Sequence, residues 1–124
     1  MSKAVMKKDS EEYKIKNELF NIFRKVQKHF KLPYCKIIFS NKERSPHGEF
    51  ISRTTIVKKN GKKRVYKRAY IVLYRNGWDE DTLVHEMAHF LLWARGKKWK
   101  GHGDEFYDAE EEISMFLIKS KKEK

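Results

Sequence analysis

Apolar residues recur at three- and four-residue steps near the start of the chain, a pattern that predicts an amphipathic helix. The residues that form this stripe are Ile15, Leu19, Ile22, Phe23, Val26 and Phe30. Asp9 or Ser10 can cap the start of the helix, and Asp9 with Glu12 has the spacing of a capping box. Pro33 is expected to end it.

The apolar pattern then becomes that of three short β-strands, over residues 34–40, 50–57 and 65–74. Asn60-Gly61 lies between the second and third strands. This pair predicts a type I′ hairpin turn, because both residue types tolerate a positive φ.

Helical spacing returns in the last third of the chain. One helix is predicted over about residues 79–95, with Gly96 at its end, and a second over about residues 104–118. This order of elements predicts an α+β fold: an N-terminal helix, a three-stranded antiparallel sheet, and two closing helices packed on it. Residues 1–124 are expected to form a single domain, with the Lys-rich ends 1–8 and 119–124 flexible.

The charge of the chain is unbalanced, with 29 Lys and Arg against 17 Asp and Glu and a formal net charge of +12. Such a positive field attracts polyanions, most commonly nucleic acid. The single cysteine, Cys35, excludes an intrachain disulfide and a zinc site built of cysteines, and its apolar surroundings predict a buried core residue. Neither a signal peptide nor an apolar membrane span is visible, so a cytoplasmic protein without a membrane partner is expected.

The first of the two closing helices contains His85-Glu-Met-Ala-His89, an H-E-x-x-H sequence. Histidines four residues apart lie one above the other on a helix, with Cβ atoms about 5–6 Å apart. Two imidazoles placed in this way can bind one Zn²⁺, and Glu86 is turned away from the ligand axis. Zinc activates a water molecule and polarises a carbonyl, and Glu86 is the expected general base.

A catalytic zinc needs three protein ligands and one open position. His102 is preferred as the third ligand, because glycines on both sides let the backbone turn its ring inward. Glu110 on the last helix is the alternative, although residues 110–112 are all glutamate and are typical of a solvated helix face. His47 lies far from the motif in sequence and is more simply interpreted as an ordinary loop histidine.

Two segments, H-E-M-A-H at residues 85–89 and G-H-G-D-E-F at residues 101–106, resemble the motifs of the SprT-like (Spartan) zinc metallopeptidase domain. The order of elements is similar as well. Asp104 departs from the proline usual in that family, which is a mild change at a helix start. The resemblance implies an endopeptidase that cleaves proteins bound or crosslinked to DNA and is activated by DNA. The residues it implies are the zinc ligands His85, His89 and His102 and the catalytic Glu86.

Two basic clusters predict a surface for DNA, single-stranded or distorted. The hairpin cluster consists of Arg53, Lys58, Lys59, Lys62, Lys63, Arg64, Lys67 and Arg68. Tyr66 and Tyr70 share one face of the third strand and can stack on bases. The loop cluster consists of Lys97, Lys98, Trp99 and Lys100. Binding that weakens steeply with salt is expected, although a Lys-rich hairpin tip is also typical of a solvated surface that deters strand aggregation.

Two classes of function therefore remain. The first is a zinc endopeptidase that acts on DNA-bound proteins, with one Zn²⁺ per chain. The second is a non-enzymatic nucleic-acid-binding module in which the zinc is structural. Glu86 discriminates between them, because a purely structural zinc site does not need an acid at that position.

Overall fold

The computed structural model describes residues 3–122, which form three α-helices, one 3₁₀ helix and a three-stranded sheet. The elements are α1 (Lys3–His29), β1 (Lys36–Phe39), β2 (Gly48–Lys59), β3 (Lys62–Leu73), the 3₁₀ helix (Arg75–Gly77), α2 (Glu80–Ala94) and α3 (Asp104–Lys122). This order confirms the predicted α+β architecture. Within the described range, no helix has both the length and the apolar character needed to cross a membrane.

The sheet is mixed, so the predicted antiparallel arrangement was wrong for one of its two strand pairs. β3 is the central strand and pairs antiparallel with β2 but parallel with β1. The chain reverses direction between β1 and β2, yet these two strands are not neighbours, because β3 lies between them. Since β3 reverses direction again, it runs parallel to β1. The sequence pattern locates strands but does not specify which of them become neighbours.

The β2–β3 hairpin forms through the predicted turn. Asn60 and Gly61 adopt φ angles of 54° and 74°, as a type I′ turn requires. The two strands pair along all twelve residues of each, from Gly48 opposite Leu73 to the turn. Every residue from 53 to 68 is exposed. The hairpin therefore extends beyond the core as a two-stranded ribbon.

One hydrophobic core joins α1, the sheet, α2 and α3. Leu19, Phe23 and Val26 of α1 are buried as their spacing predicts, whereas Ile15 remains 40% exposed. Cys35 is also buried, as expected, and burial raises the pKa of its thiol to about 12. A thiol in this environment is not a reactive nucleophile.

Helix α1 begins at Lys3, so the predicted cap at Asp9 or Ser10 was wrong. Lysine and alanine are good helix formers, and they extend the helix on the N-terminal side of the apolar stripe. The helix ends at His29, before Pro33. Flexibility of the Lys-rich ends stays a prediction, and the two terminal residues at each end lie outside the described range.

Candidate metal centre

Helix α2, which carries the H-E-x-x-H motif, is held at both ends. The Asp79 carboxylate accepts a hydrogen bond from the backbone N–H of Thr82 at 2.7 Å and caps the N-terminus. Glu80 and Asp81 add negative charge to the first turn, where it interacts favourably with the helix dipole. Gly96, with a φ of 72°, lets the chain turn away after the last turn. These features define where α2 begins and ends, and so fix the position of the motif on it.

The structure brings together the three histidines predicted to bind zinc. His85, His89 and His102 each offer a ring nitrogen, and these three atoms lie within 4.8 Å of one another. The Nε2 atoms of His85 and His102 are 3.2 Å apart. Two nitrogens that bind one tetrahedral zinc at about 2.0–2.1 Å are separated by about 3.3 Å. The spacing therefore fits a zinc ion held by imidazoles.

Contacts behind two of the rings orient their lone pairs toward this common point. His89 Nδ1 lies against the backbone carbonyl of Trp99, which can only accept, so Nδ1 donates and Nε2 carries the lone pair. His85 Nδ1 faces the Glu110 carboxylate at 3.4 Å, which favours the same tautomer. Burial lowers the pKa of both rings, and the neighbouring imidazoles lower it further. Both effects favour the neutral imidazole that a metal requires.

Phe106, to which the sequence analysis gave no role, lies beneath the cluster. Its buried ring has centroid distances of 4.8, 4.7 and 4.7 Å to the rings of His85, His89 and His102. His102 itself is exposed, in the loop before α3. The cluster thus has an apolar base and is accessible from solvent on the side of His102.

Glu86 is not one of the residues whose ligand atoms cluster, and it is only 5% exposed. It faces the start of β2, since a β-carbon on Gly48 would lie 3.1 Å from Glu86 Oε2. Burial, and then the charge of Glu49, raise the pKa of Glu86 to about 7. A carboxyl group with a pKa near neutrality can both accept and return a proton.

Glu49 is a second acidic residue at the site that the sequence analysis missed. Its carboxylate accepts a hydrogen bond from the Tyr74 hydroxyl at 2.9 Å, and Arg44 donates to that hydroxyl at 3.3 Å. These residues come from the loop before β2, from β2 itself and from the position directly after β3. No local spacing brings them together, so no sequence signal marks them.

The two alternatives for the third ligand take other positions. Glu110 lies behind the His85 ring and not among the three clustered nitrogens. His47 is exposed in the loop before β2, and its backbone carbonyl accepts a hydrogen bond from the N–H of Tyr74. Its position fits the interpretation as an ordinary loop histidine.

The two basic clusters lie at different distances from the metal centre. All eight basic residues of the hairpin cluster are exposed on the ribbon. Twelve residues of extended β2 put the hairpin tip about 40 Å from Gly48, at about 3.4 Å per residue. The loop cluster is adjacent to the metal centre, since the Trp99 carbonyl contacts His89. Trp99 is half-buried and packs edge-on against Phe50 at 5.2 Å.

Comparison with known protein families agrees with the arrangement of helices, sheet and histidines. A family model described as the SprT-like family matches residues 16–122. The chain belongs to the SprT-like family. The matched range includes the sheet, α2, α3 and all the residues of the candidate metal centre. Family membership and the three clustered histidines together fit a zinc protease-like domain. No curated protein and no solved structure matches the chain.

Proposed function

We propose that this SprT-like domain is a zinc-dependent endopeptidase that cleaves proteins bound or crosslinked to DNA, and that DNA stimulates it. The main support for the proposal is that Glu86 is a buried acid on the helix that carries two of the three clustered imidazoles, directly after His85 in the sequence. A structural zinc site does not need a buried carboxyl group next to one of its ligands.

The residues of the site would have different roles in peptide hydrolysis. His85, His89 and His102 would hold the zinc, which when bound supplies a Lewis acid. Glu86 accepts a proton from the attacking water and returns it to the leaving amine. Phe106 keeps the imidazoles packed on an apolar surface, and Glu110 orients His85 from behind. The chain thereby provides both the ligands and the proton transfer.

The register of the ribbon supports the DNA part of the proposal. Arg53 lies directly opposite Arg68, and Arg64 and Tyr66 share that face of the hairpin. Like charges directly opposite each other destabilise a β-ribbon. A phosphate between them removes this repulsion, and the tyrosine offers a ring for stacking. This arginine face therefore suits single-stranded DNA.

The test is cleavage of a basic DNA-binding protein by the zinc-loaded domain, with and without single-stranded DNA. We expect DNA to increase the rate for wild type. The double variant Arg53→Ala/Arg64→Ala should keep the basal rate and lose the stimulation. Lys14→Ala/Lys25→Ala, which removes the same charge from the exposed surface of α1, is the matched control and should respond like wild type.

Either of two results would contradict the proposal. Cleavage that is unchanged by DNA would remove DNA as the activator. Absence of cleavage, despite bound zinc and bound DNA, would instead support a non-enzymatic nucleic-acid-binding module with a structural zinc.

A further inference from the structure

A cavity away from the metal centre opens at the edge of β3. β1 pairs with β3 only from Lys36 opposite Tyr70 onward, so the preceding residues of β3 have no strand beside them on that side. The start of β1, this open edge and the end of α2 enclose a cavity of about 590 Å³. Its lining includes Tyr34, Lys36, Lys67, Arg68, Tyr70 and Trp93.

Three aromatic residues line this cavity. Tyr34 is 80% exposed, the largest fraction among the exposed large apolar or aromatic side chains of the described range. Tyr70 and Trp93 are half-buried, and Trp93 is backed by Phe50 at a centroid distance of 5.8 Å. An aromatic ring left in water forgoes the free energy of burial. It also presents a flat apolar face to a ligand.

The charges around the cavity have one sign. Lys36, Lys67 and Arg68 contribute three cations, and the lining residues, all within 3–122, include no carboxylate. Cations bind phosphates and aromatic rings stack on bases, which together are the requirements of a single-stranded nucleic acid. The volume lies within the range of about 300–1,000 Å³ typical of small-molecule sites.

We propose that this cavity binds one nucleotide of a single-stranded nucleic acid, with the base stacked at Tyr34 and the phosphates at Lys36 and Arg68. The inference rests on the proposed function, and it adds a defined nucleotide site to it. Arg68 and Tyr70 lie on the same face of β3 as Tyr66. A bound strand therefore continues from the cavity along the arginine face of the ribbon.

The experiment measures the affinity of a labelled oligothymidylate by fluorescence anisotropy. One base stacked on an aromatic ring contributes about 1–3 kcal/mol, so Tyr34→Ala should weaken binding by roughly 5- to 150-fold. Tyr34→Phe should retain it, because the ring remains. Tyr107→Ala is the matched control, since Tyr107 is 57% exposed on α3, away from the cavity. Tyr34 is exposed, so its loss should leave the melting temperature unchanged.

A second measurement, tryptophan fluorescence, tests whether the oligonucleotide binds at the cavity itself. Oligothymidylate should quench the tryptophan fluorescence of wild type. The Trp93→Phe variant should show less quenching, because the contribution of Trp93 is removed. Equal affinity of Tyr34→Ala and Tyr107→Ala for oligothymidylate would overturn the nucleotide site. Competition by polyglutamate as effective as that by oligothymidylate would also overturn it, because the cavity would then recognise charge alone.

Failure of the nucleotide site and failure of the proposed function give different results. If DNA still stimulates proteolysis while Tyr34→Ala binds oligothymidylate normally, the site is wrong and the function stands. If Tyr34→Ala weakens binding but wild type cleaves nothing, the site stands and the function is wrong.

Discussion

Among the acidic side chains at the metal centre, Glu86 is the one whose surroundings differ most from bulk water. Its pKa is raised from 4.5 to about 7 by burial and then by Glu49. Between pH 4.5 and about pH 7, Glu86 therefore remains protonated in the folded metal-free chain, whereas it is ionised in the unfolded chain. The stability that this proton provides is fully present below about pH 4.5 and is lost as the pH rises through about 7.

This linkage predicts that Glu86→Gln stabilises the metal-free protein at alkaline pH. At pH 8 the variant should exceed wild type by roughly 3 kcal/mol in free energy of unfolding, because glutamine is never ionised. At pH 5 most of the difference should disappear. Urea unfolding in the presence of a chelator measures both values, and the histidines contribute equally to the two proteins. The same difference at both pH values would show that burial does not raise the pKa of Glu86.

Zinc affinity should distinguish a residue that binds the metal from a residue that only orients a ligand. Glu110 lies 3.4 Å from His85 Nδ1, so Glu110→Ala should weaken zinc binding by about 10-fold. His102→Ala removes a ligand and should weaken it far more. Zinc affinity is measured by competition with a chelating dye, and Glu111→Ala, which changes an exposed neighbour, is the control. A larger loss for Glu110→Ala than for His102→Ala would make Glu110 the third ligand.

Sequence reasoning located the histidines and Glu86 because H-E-x-x-H is a local spacing on one helix. It chose His102 over Glu110 from the flexibility of the flanking glycines, and the structure clusters His102 with the other two rings. Glu49 had no such signal, because packing between elements that are distant along the chain brings it to the site. Phe106 ends the G-H-G-D-E-F segment four residues after His102, but the segment alone did not indicate that its ring contacts all three histidines.

Among the elements, the cap of α2 determines how firmly the motif helix is held. Asp79→Ala removes the acceptor of the Thr82 N–H and should lower the free energy of unfolding by about 1 kcal/mol. Asp79→Asn should preserve most of the stability, because asparagine also caps. Asp81→Ala removes a charge from the same turn without removing the cap, and thermal unfolding compares the three. A loss for Asp81→Ala as large as that for Asp79→Ala would make the effect one of charge alone.

Helices and the hairpin were predictable because each has a local physical signature. The apolar stripe of α1, the glycine that ends α2 and the Asn60-Gly61 turn all depend on residues close in sequence. The parallel pairing of β1 with β3 depends on which strands meet in the folded chain. The start of α1 was misplaced because capping residues can also lie inside a helix, where the surrounding residues are good helix formers.

On the scale of the whole molecule, the candidate metal centre and the tip of the basic ribbon lie at opposite ends of β2. The metal centre lies beside Gly48, the first residue of the strand, and the cationic ribbon extends about 40 Å from it. The net charge of +12 is concentrated on the ribbon and on the loop beside the histidines. We expect a DNA strand bound to the ribbon to keep proteins on the same DNA close to the zinc. We would then expect proximity on the DNA, and not a pocket for particular side chains, to select the substrate.

The role of Glu86 is tested by comparing wild type with Glu86→Gln, both loaded with zinc, in the cleavage of a basic DNA-binding protein on single-stranded DNA. Metal analysis should find about one zinc per chain in both proteins. The variant should cleave at least about 100-fold more slowly, since it lacks the general base. Cleavage by the variant at the wild-type rate would contradict the assignment of Glu86, and absence of cleavage by zinc-loaded wild type would contradict the peptidase itself.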